Sequence, residues 1–447
     1  MFSTDDTIVA VATPAGRGGV AMARLSGPAA VSIALGMAGR AAPLEPRRAT
    51  RVRLRQLDVP DDALMTYFPA PASYTGEDVV EISAHGSPVI MAAIVAAATT
   101  AGARAARPGE FTLRAFLHDK LDLVQAEAVQ ALVDAVSPAQ AQVATSHLDG
   151  GLSRVVTRIA RALDELRLRL EASIDFPDEG YHFIDAGGAA AALRSVHEEL
   201  ERLCRGEGAA RRLRDGHLVV VAGAPNVGKS SLFNAVVGTD RAIVTPVAGT
   251  TRDLVSEHLL LGGAHVRLVD SAGLRGADDD VERQGIARAM AAIAEADLVV
   301  VVLDRSRARD ADDRLVLEHV ADRPRVVVAN KSDLPAVDDG ADVDAAISAR
   351  TGAGVDELVS MLATRLTALQ PPDDVLVVNS RQRALLAMAR DRLAEACAEI
   401  DAAGGRLPEE FLAADISRAQ DALEELIGRR TSEDLLAEIF DRFCIGK

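Results

Sequence analysis

The chain lacks the residues on which several classes of protein depend. It has no tryptophan and 3% aromatic residues, so it offers no evident platform for stacking nucleic-acid bases. Its three cysteines, Cys204, Cys397 and Cys444, are too scattered for a disulfide or zinc framework. No apolar run reaches the roughly 18 residues of a membrane span, and the acidic N-terminal segment is unlike a signal peptide. These absences predict a soluble, cytoplasmic protein without a membrane partner.

Positive charge is also in deficit. The 49 lysines and arginines are outnumbered by 66 aspartates and glutamates, which gives a formal net charge of −17. Indiscriminate nucleic-acid binding needs a basic face, so a nucleic-acid substrate would have to be held by a local patch or by a partner protein. The clusters at Arg47–Arg55 and Arg211–Arg214 are the candidate patches. The length of 447 residues and the hydrophobic content of 49% predict several packed domains.

What the chain does contain is a phosphate-binding motif. In LVVVAGAPNVGKSS, Gly223, Gly228, Lys229 and Ser230 fill the pattern G-x-x-x-x-G-K-[ST] between an apolar run and a predicted helix. Glycines allow backbone N–H groups to point at a phosphate, and the helix N-terminus adds its positive dipole. We therefore predict that Lys229 reaches the outer phosphates of a nucleotide and that Ser230 binds magnesium.

A second motif predicts which base the nucleotide carries. Asn330, Lys331 and Asp333 form N-K-x-D directly after the strand-like run RVVVAN. An aspartate there can accept two hydrogen bonds from guanine, a pattern that adenine does not offer. The segment Ser348–Arg350 follows and could add a backbone contact to the base. The two motifs together predict guanine binding.

Between these motifs lie the candidate magnesium ligands. Asp270 ends the run HVRLVD and opens D-x-x-G, so we expect it to bind magnesium through water and Gly273 to contact the γ-phosphate. In TPVAGTTRD we assign Thr251 as the switch threonine on magnesium. Thr250 is a competing assignment that the spacing does not settle.

The usual water-positioning glutamine is absent. Ras-type GTPases place that glutamine after D-x-x-G, where this chain has Leu274. We hypothesise that Glu282, the acid nearest a predicted helix start, orients the attacking water. The alternative is that Glu282 is a capping or surface carboxylate. No nearby arginine is well placed as a finger, so a cation could supply the positive charge.

The hydrophobic patterns predict a multidomain α/β and α architecture. Residues 1–118 are predicted to form a mixed-sheet domain, residues 119–215 the first part of a helical domain, residues 216–371 a parallel α/β nucleotide domain, and residues 372–447 the second helical part. The economical arrangement is a discontinuous helical domain into which a Ras-like P-loop domain is inserted.

Several longer stretches carry a family resemblance. GAPNVGKSSLFN, TPVAGTTRD, DSAGLR, NKSD, RPGEFTLRAFLHDKLDLVQAEAV and FCIGK resemble the MnmE (TrmE) family of tRNA-modification GTPases over essentially the whole chain. The resemblance implies an N-terminal domain that binds tetrahydrofolate, in its 5,10-methylene or 5-formyl form. It also implies a homodimer and a heterotetramer with the flavoprotein MnmG (GidA), which carries the FAD. Together the two proteins would install an aminomethyl or carboxymethylaminomethyl group at carbon 5 of the wobble uridine of certain tRNAs.

The resemblance also implies the remaining site residues. Glu282 falls on the family's catalytic glutamate, and potassium would replace an arginine finger, with ligands Asn226, Thr245, Val247 and Thr250. The folate ligands would be Arg24, Glu81, Lys120 and Lys447, although Arg24 and Glu81 could equally form an internal ion pair. The full predicted GTP-binding set is Asn226, Val227, Gly228, Lys229, Ser230, Ser231, Thr245, Pro246, Val247, Ala248, Gly249, Thr250, Thr251, Asp270, Ser271, Ala272, Gly273, Asn330, Lys331, Asp333, Ser348, Ala349 and Arg350.

The chain departs from the family pattern at two places, and two other functions are open to it. His118-Asp119 replaces the family's Asn-Gly before Lys120, and Ser271 replaces a threonine; Cys444 is given no catalytic role. The alternative function is a GTP-dependent binding module for ribosome assembly, of the Era type, which would need a basic RNA-binding domain. A folate enzyme with a regulatory GTPase domain is a third option.

Overall fold

The computed structural model describes residues 5–175, 186–239, 242–244, 256–270, 290–337, 342–369, 379–402 and 409–446. The chain divides into two compact units. The first unit comprises Met1–Val133, Thr145–Glu201 and Ser380–Lys447, and the second comprises Asp134–Ala144 and Arg202–Asn379. Within the described residues, no helix is both long enough and apolar enough to cross a membrane.

The first unit contains a six-stranded sheet in the order β3-β4-β5-β2-β1-β6. Its elements are β1 (Ile8–Val11), β2 (Gly18–Ser26), α1 (Ala30–Ala38), β3 (Thr50–Leu54), β4 (Asp61–Phe68), β5 (Val79–Gly86), α2 (Pro88–Thr100) and β6 (Arg104–Ala105). Neighbouring strands are antiparallel except for β1 and β6, which are parallel. The predicted mixed sheet is therefore confirmed.

Burial on one side of this sheet follows the period of two expected of strands. Val80, Ile82 and Ala84 of β5 are buried, and they pack with apolar residues of α1 and α2 in one core. Buried apolar area is the main source of stability in such a layer. The two helices are accordingly almost wholly apolar.

The helices of the first unit come from distant parts of the chain. They are α3 (Glu110–Leu117), α4 (Leu123–Asp134), α5 (Pro138–Leu148), α6 (Gly151–Asp175), α7 (Ala186–Cys204), α12 (Ser380–Ala402), α13 (Glu409–Ile427) and α14 (Glu433–Phe440), of which α5 begins in the second unit. Polar contacts join the distant segments: Arg381 pairs with Glu127 at 2.8 Å, and Gln420 Nε2 donates to Asp164 at 2.5 Å.

The segment after α14 lies against β1 and the loop before α3. Ile445 forms an antiparallel bridge with Pro108, and Gly109 N donates to Cys444 O at 3.4 Å. Gly446 has φ +96°, and a Cβ there would lie 2.2 Å from Val11 O. Only glycine permits this approach of two backbones.

The second unit contains a seven-stranded sheet in the order β13-β12-β11-β7-β10-β9-β8. Its elements are α8 (Glu207–Asp215), β7 (His217–Ala222), α9 (Lys229–Val237), β8 (Ala242–Val244), β9 (Ser256–Leu261), β10 (Ala264–Asp270), β11 (Leu298–Asp304), α10 (Ala311–His319), β12 (Arg325–Asn330), β13 (Ala345–Ala346) and α11 (Val355–Thr367). Apolar clusters cover both faces of the sheet.

The sheet is not purely parallel, which corrects the prediction for this region. β10, β7, β11, β12 and β13 are parallel neighbours, but β9 is antiparallel to β10 and β8 is antiparallel to β9. The hairpin turn at Gly262-Gly263 uses positive φ at both residues. Such a short connection allows only an antiparallel pair.

The helical stretch between residues 186 and 215 is divided in two. It forms α7 and α8, and Gly206 between them has φ +110°. Glycine accepts this conformation and ends helical hydrogen bonding.

Candidate nucleotide-binding site

A glycine-flanked loop connects β7 to α9 at the carboxyl edge of the second sheet. Gly223 has φ +155° and Gly228 has φ +99°. A Cβ on Gly223 would lie 2.5 Å from Val302 O, and one on Gly228 would lie 2.3 Å from Asn330 Nδ2. Both glycines are therefore required by backbone conformation and by close neighbours.

The first turn of α9 carries the motif's lysine and serine. Lys229 is buried, and its Nζ donates to Ala224 O at 2.8 Å within the loop. Ser230 Oγ donates to Asp270 Oδ2 at 2.6 Å, which joins α9 to the end of β10. A hydroxyl beside a carboxylate is an oxygen donor set of the kind that magnesium prefers.

Asn330 connects three segments at this edge. Its Nδ2 donates to Val227 O of the loop at 2.9 Å, and its Oδ1 accepts from Ala349 N at 3.0 Å. The side chain is 3% exposed. Burial carries no penalty of an unpaired polar atom here, because both the amide nitrogen and the amide oxygen have a protein partner. The contacts fix the N-K-x-D segment and the Ser348–Arg350 segment against the phosphate loop.

Asp333 lies beside that segment. Its Oδ1 accepts from Ser348 Oγ at 2.6 Å, and its Oδ2 lies 2.7 Å from Arg350 Nη2. The hydrogen bond from Ser348, with a contribution from the Arg350 charge, lowers the pKa of Asp333 below its usual value. The carboxyl is therefore ionised near neutral pH, as an acceptor of two hydrogen bonds must be.

Lys331 makes a contact that sequence reasoning missed. Its Nζ lies 2.6 Å from Asp304 Oδ2 at the end of β11. Asp304 also accepts from Ser306 N and Oγ, at 2.9 and 2.6 Å. Burial alone would raise the pKa of Asp304, but the hydrogen bonds from Lys331 and Ser306 outweigh it and lower that pKa. The contact depends on β11 lying beside β12, an arrangement that the motifs alone do not give.

A further part of the predicted set lies outside the described residues. These are Thr245, Pro246, Val247, Ala248, Gly249, Thr250, Thr251, Ser271, Ala272, Gly273 and Glu282. Of the predicted potassium ligands only Asn226 is described, with φ +62°, a left-handed conformation that asparagine tolerates. Their assignments remain predictions.

The predicted folate residues lie in the first unit and do not all meet. Arg24 and Glu81 face each other on β2 and β5, and Arg24 Nε and Nη2 donate to Glu81 Oε1 at 3.0 and 2.8 Å. The internal ion pair allowed by the sequence is thus present. Lys120 is exposed and donates to Pro71 O at 3.1 Å, and Lys447 lies outside the described residues.

The turn before Lys120 tolerates the unusual His118-Asp119 pair. Asp119 has φ +54°, a region that aspartate enters more readily than most residues. His118 Nδ1 lies 2.7 Å from Thr75 O, and a Cβ on Gly76 would lie 3.0 Å from His118 Cβ. The histidine is therefore packed into the turn.

Comparison with known proteins agrees with the resemblance read from the motifs. The model of the MnmE helical domain matches residues 123–444, and that of the GTP-binding protein TrmE N-terminus matches residues 7–120. The tRNA modification GTPase MnmE of Stutzerimonas stutzeri is 41% identical, with all of both chains covered. That of an Azoarcus species is 43% identical over 99% of this chain and 98% of its own length.

Among solved structures, Aquifex aeolicus Era bound to GDP and AlF4⁻ is 25% identical and covers 39% of this chain and 65% of its own, with a TM-score of 0.27. So low a score supports no conclusion about fold, which rests here on the strand order itself. The identity of 41–43% over 99–100% of this chain, in contrast, shows the family. The chain belongs to the MnmE (TrmE) family of tRNA modification GTPases.

Proposed function

We propose that this chain is a potassium-dependent GTP hydrolase whose cycle drives modification of the wobble uridine of certain tRNAs. With an MnmG (GidA) flavoprotein that carries FAD, it would help install an aminomethyl or carboxymethylaminomethyl group at carbon 5. A tetrahydrofolate derivative supplies the one-carbon unit. The active form is a cytoplasmic homodimer that joins the flavoprotein in a heterotetramer.

The observation that carries the proposal is the position of Asn330. It ties the phosphate loop, through Val227 O, to the segment that follows β13, through Ala349 N. Phosphate-binding and base-binding elements are thereby fixed to one another before a nucleotide arrives. Preorganised groups of this kind reduce the entropic cost of binding.

The residues present fit GTP and its magnesium ion. Lys229 would contact the outer phosphates, and Ser230 with Thr251 would hold magnesium, which neutralises charge on the phosphates. Asp270 Oδ2 accepts a hydrogen bond from Ser230 Oγ at 2.6 Å. This bond fixes the direction of the hydroxyl hydrogen and would leave the lone pairs of the Ser230 oxygen for magnesium. Ionised Asp333 would select guanine, because the ring N–H and exocyclic amine of guanine can donate two hydrogen bonds to a carboxylate and adenine lacks that pair of donors.

Hydrolysis needs a group in place of the missing glutamine. We assign this role to Glu282, which would orient the attacking water. Asn226, Thr245, Val247 and Thr250 would hold potassium, an ion that their amide, carbonyl and hydroxyl oxygens suit. The remaining nucleotide contacts would come from the other members of the predicted GTP-binding set.

Folate binding would involve the Arg24–Glu81 pair. The pair is half-buried, and the rings of Tyr74 and Phe111 lie 5.5 and 5.7 Å from the Arg24 guanidinium carbon. A carboxylate can accept from the pterin edge, and the cations of Lys120 and Lys447 could face the glutamate tail. Glu81 would exchange part of its contact with Arg24 for the pterin.

The decisive experiment is mass spectrometry of wobble uridine in tRNA from a strain that lacks this chain. We expect uridine without its carbon-5 substituent, restored by the wild-type chain. Normal tRNA together with abnormal ribosomal particles would overturn the proposal in favour of ribosome assembly.

Two measurements on the purified chain test the mechanism. GTP turnover should be faster in potassium than in sodium at equal ionic strength. Glu282→Ala should abolish turnover and retain GTP binding. Equal rates in the two salts would remove potassium from the mechanism, and retained turnover would return Glu282 to a structural role.

A further inference from the structure

A cavity of about 690 Å³ lies in the helical part of the first unit, beside α6, the turn before it and the start of α4. Its walls include Arg154, Arg158 and Arg161 from successive turns of α6, together with Ser153 and Gln125. The function proposed above uses none of these residues. The cavity is therefore a feature of the molecule that still requires a role.

Ser153 is the first indication of a ligand. The residue is 8% exposed and lines the cavity, and its Oγ has no hydrogen-bond partner among the described residues. A buried hydroxyl left without a partner destabilises the fold. An acceptor oxygen that reached this hydroxyl from the cavity would remove that penalty.

The order of charges along α6 is the second indication. Its first half, residues 151–163, contains three arginines and no acidic residue, whereas Asp164, Glu165, Glu171 and Asp175 all lie in the second half. A helix dipole favours acidic residues at the N-terminus and basic residues at the C-terminus. The observed order is the reverse, with Arg154 in the first turn, so the helix dipole does not account for the arginines.

The arginines also differ in how far they are engaged. Arg154 Nη1 donates to Asp149 O at 2.5 Å, and Arg158 pairs with Glu199. Arg161 is exposed and has no hydrogen bond or ion pair with any described residue. A guanidinium in this state retains all its donors for an oxyanion.

The acidic residues of the cavity limit the charge of the ligand. Asp122, Asp149 and Glu165 also line it, so the three cations are offset by three carboxylates. A ligand with two or more negative charges on one phosphate would be repelled by them. A phosphodiester, with one charge per phosphate, suits this balance.

Every arginine of the other two clusters except Arg55 makes a polar contact with a described residue. Arg211 and Arg212 pair with Asp297, at 2.9 and 3.5 Å, and Arg214 pairs with Asp215. Arg51 and Arg53 lie on the edge strand β3, each within 3.7 Å of Asp62, where charges discourage pairing with another sheet. The α6 cavity combines an unengaged arginine with a buried hydroxyl that lacks a partner.

We propose that this cavity binds phosphodiester groups of the tRNA backbone, with Arg154, Arg158 and Arg161 as the cationic wall and Ser153 as a hydroxyl donor. The inference rests on the proposed function for the identity of the RNA. It gives a strongly acidic chain a local surface on which to hold its substrate.

The test measures binding of a fluorescein-labelled, unmodified tRNA transcript to the full chain between 50 and 200 mM KCl. The double variant R154Q/R161Q should bind tRNA about tenfold more weakly than the wild type. The slope of log affinity against log salt concentration should also become shallower by roughly 1.5, because each phosphate that the variant no longer neutralises contributes about 0.7–0.9 to that slope. Arg169→Gln is the matched control, because Arg169 is exposed on the same helix and does not line the cavity. It should bind tRNA as the wild type does.

Ser153→Ala separates a binding role from a structural one. Removing a buried hydroxyl that lacks a partner should raise the melting temperature of the free protein, while tRNA affinity falls a few fold. A lower melting temperature with unchanged tRNA affinity would overturn the role of Ser153. The single variant R161Q, which breaks no contact among the described residues, should lose affinity without loss of stability.

Unchanged tRNA affinity and salt slope in R154Q/R161Q would overturn the proposal. Inorganic phosphate is the probe for a free anion as the occupant of the cavity. If phosphate raises the melting temperature of the wild type but not of R154Q/R161Q, and tRNA affinity is equal in both, the cavity binds a free anion and not RNA. GTP turnover of the wild type is measured in parallel. Failure of that turnover would contradict the proposed function, whereas normal turnover with unaltered tRNA binding would contradict only this inference.

Discussion

The two regions to which the sequence assigns ligands use their predicted residues differently. At the nucleotide site, Asn330 and Ser230 join segments that are far apart in the chain. In the N-terminal sheet, Arg24 and Glu81 are direct neighbours on paired antiparallel strands and satisfy each other.

The difference follows from sheet topology. Carboxyl ends of parallel strands meet at one edge, so loops after different strands converge on one ligand. Antiparallel neighbours instead place side chains opposite each other along the strands, where opposite charges pair. A parallel sheet edge thus predicts a site more directly than a complementary pair inside an antiparallel sheet does.

The largest effect should come from the ion-pair network around Arg114 of α3. Arg114 is 1% exposed and pairs with Asp6 at 2.5 Å and Glu77 at 3.0 Å. Arg114→Ala leaves both carboxylates without this partner and should cost about 3–5 kcal/mol of unfolding free energy, measured by urea denaturation. Arg48→Ala, which breaks an exposed pair with Glu45, should cost about 1 kcal/mol or less. Equal losses would show that burial does not govern the strength of these ion pairs.

The next effect should appear at the phosphate loop. In Gly228→Ala the new Cβ would lie 2.3 Å from Asn330 Nδ2 and displace a side chain that makes two hydrogen bonds. Affinity for a fluorescent guanine nucleotide should fall about 100-fold, equivalent to about 2.7 kcal/mol.

Gly263→Ala is the control for this change. Gly263 has φ +88°, and a Cβ there meets nothing within 4 Å, so it introduces backbone strain alone. It should cost about 1 kcal/mol of stability and leave nucleotide affinity within twofold. A comparable loss of affinity in both variants would attribute the effect to strain and not to Asn330.

A smaller effect should arise from buried histidines in the second unit. Burial, with like charge on His258 and His217, lowers the pKa of His265 to about 4, against an opposing contribution from Asp215. A histidine whose folded pKa is depressed favours folding above its unfolded pKa, near 6.5. That stability should decline by about 2 kcal/mol between pH 7.5 and 5, and by about 3 kcal/mol at most by pH 4.

Denaturation at pH 7.5 and pH 5 measures this decline. His265→Asn should reduce the loss of unfolding free energy between the two pH values. His319→Asn, at an exposed histidine of α10, should leave it unchanged. Identical pH profiles for the wild type and His265→Asn would exclude His265 as its source.

The smallest effect should be the coupling of Arg24 to Glu81. Their side chains are 17% and 25% exposed, so a double-mutant cycle with Arg24→Met and Glu81→Gln should give about 1 kcal/mol or less. 5-Formyltetrahydrofolate should raise the melting temperature of the wild type and not of either variant. Equal stabilisation of the double variant would remove both residues from the folate site.

The sequence predicted the parts of the fold whose cause is local. The β7 strand, the glycine loop and the start of α9 follow from a buried apolar run, two positive-φ glycines and helix geometry within 20 residues. The Lys331–Asp304 pair could not be predicted, because it depends on β11 lying beside β12. The antiparallel β8 and β9 were missed for the same reason, since short strands take their direction from their neighbours.

The contact of Gly446 with Val11 has a consequence for the order of folding during synthesis. Ile445 bridges Pro108, and it leaves the ribosome roughly 340 residues later, on the order of half a minute at about 5–20 residues per second. The second unit, almost all of it a continuous stretch of chain, can form its sheet in that interval. Until residue 446 is synthesised, β1 lacks this contact and the carbonyl of Val11 is not covered by Gly446. Nascent chains stalled before and after residue 446 should therefore differ in protease resistance near β1.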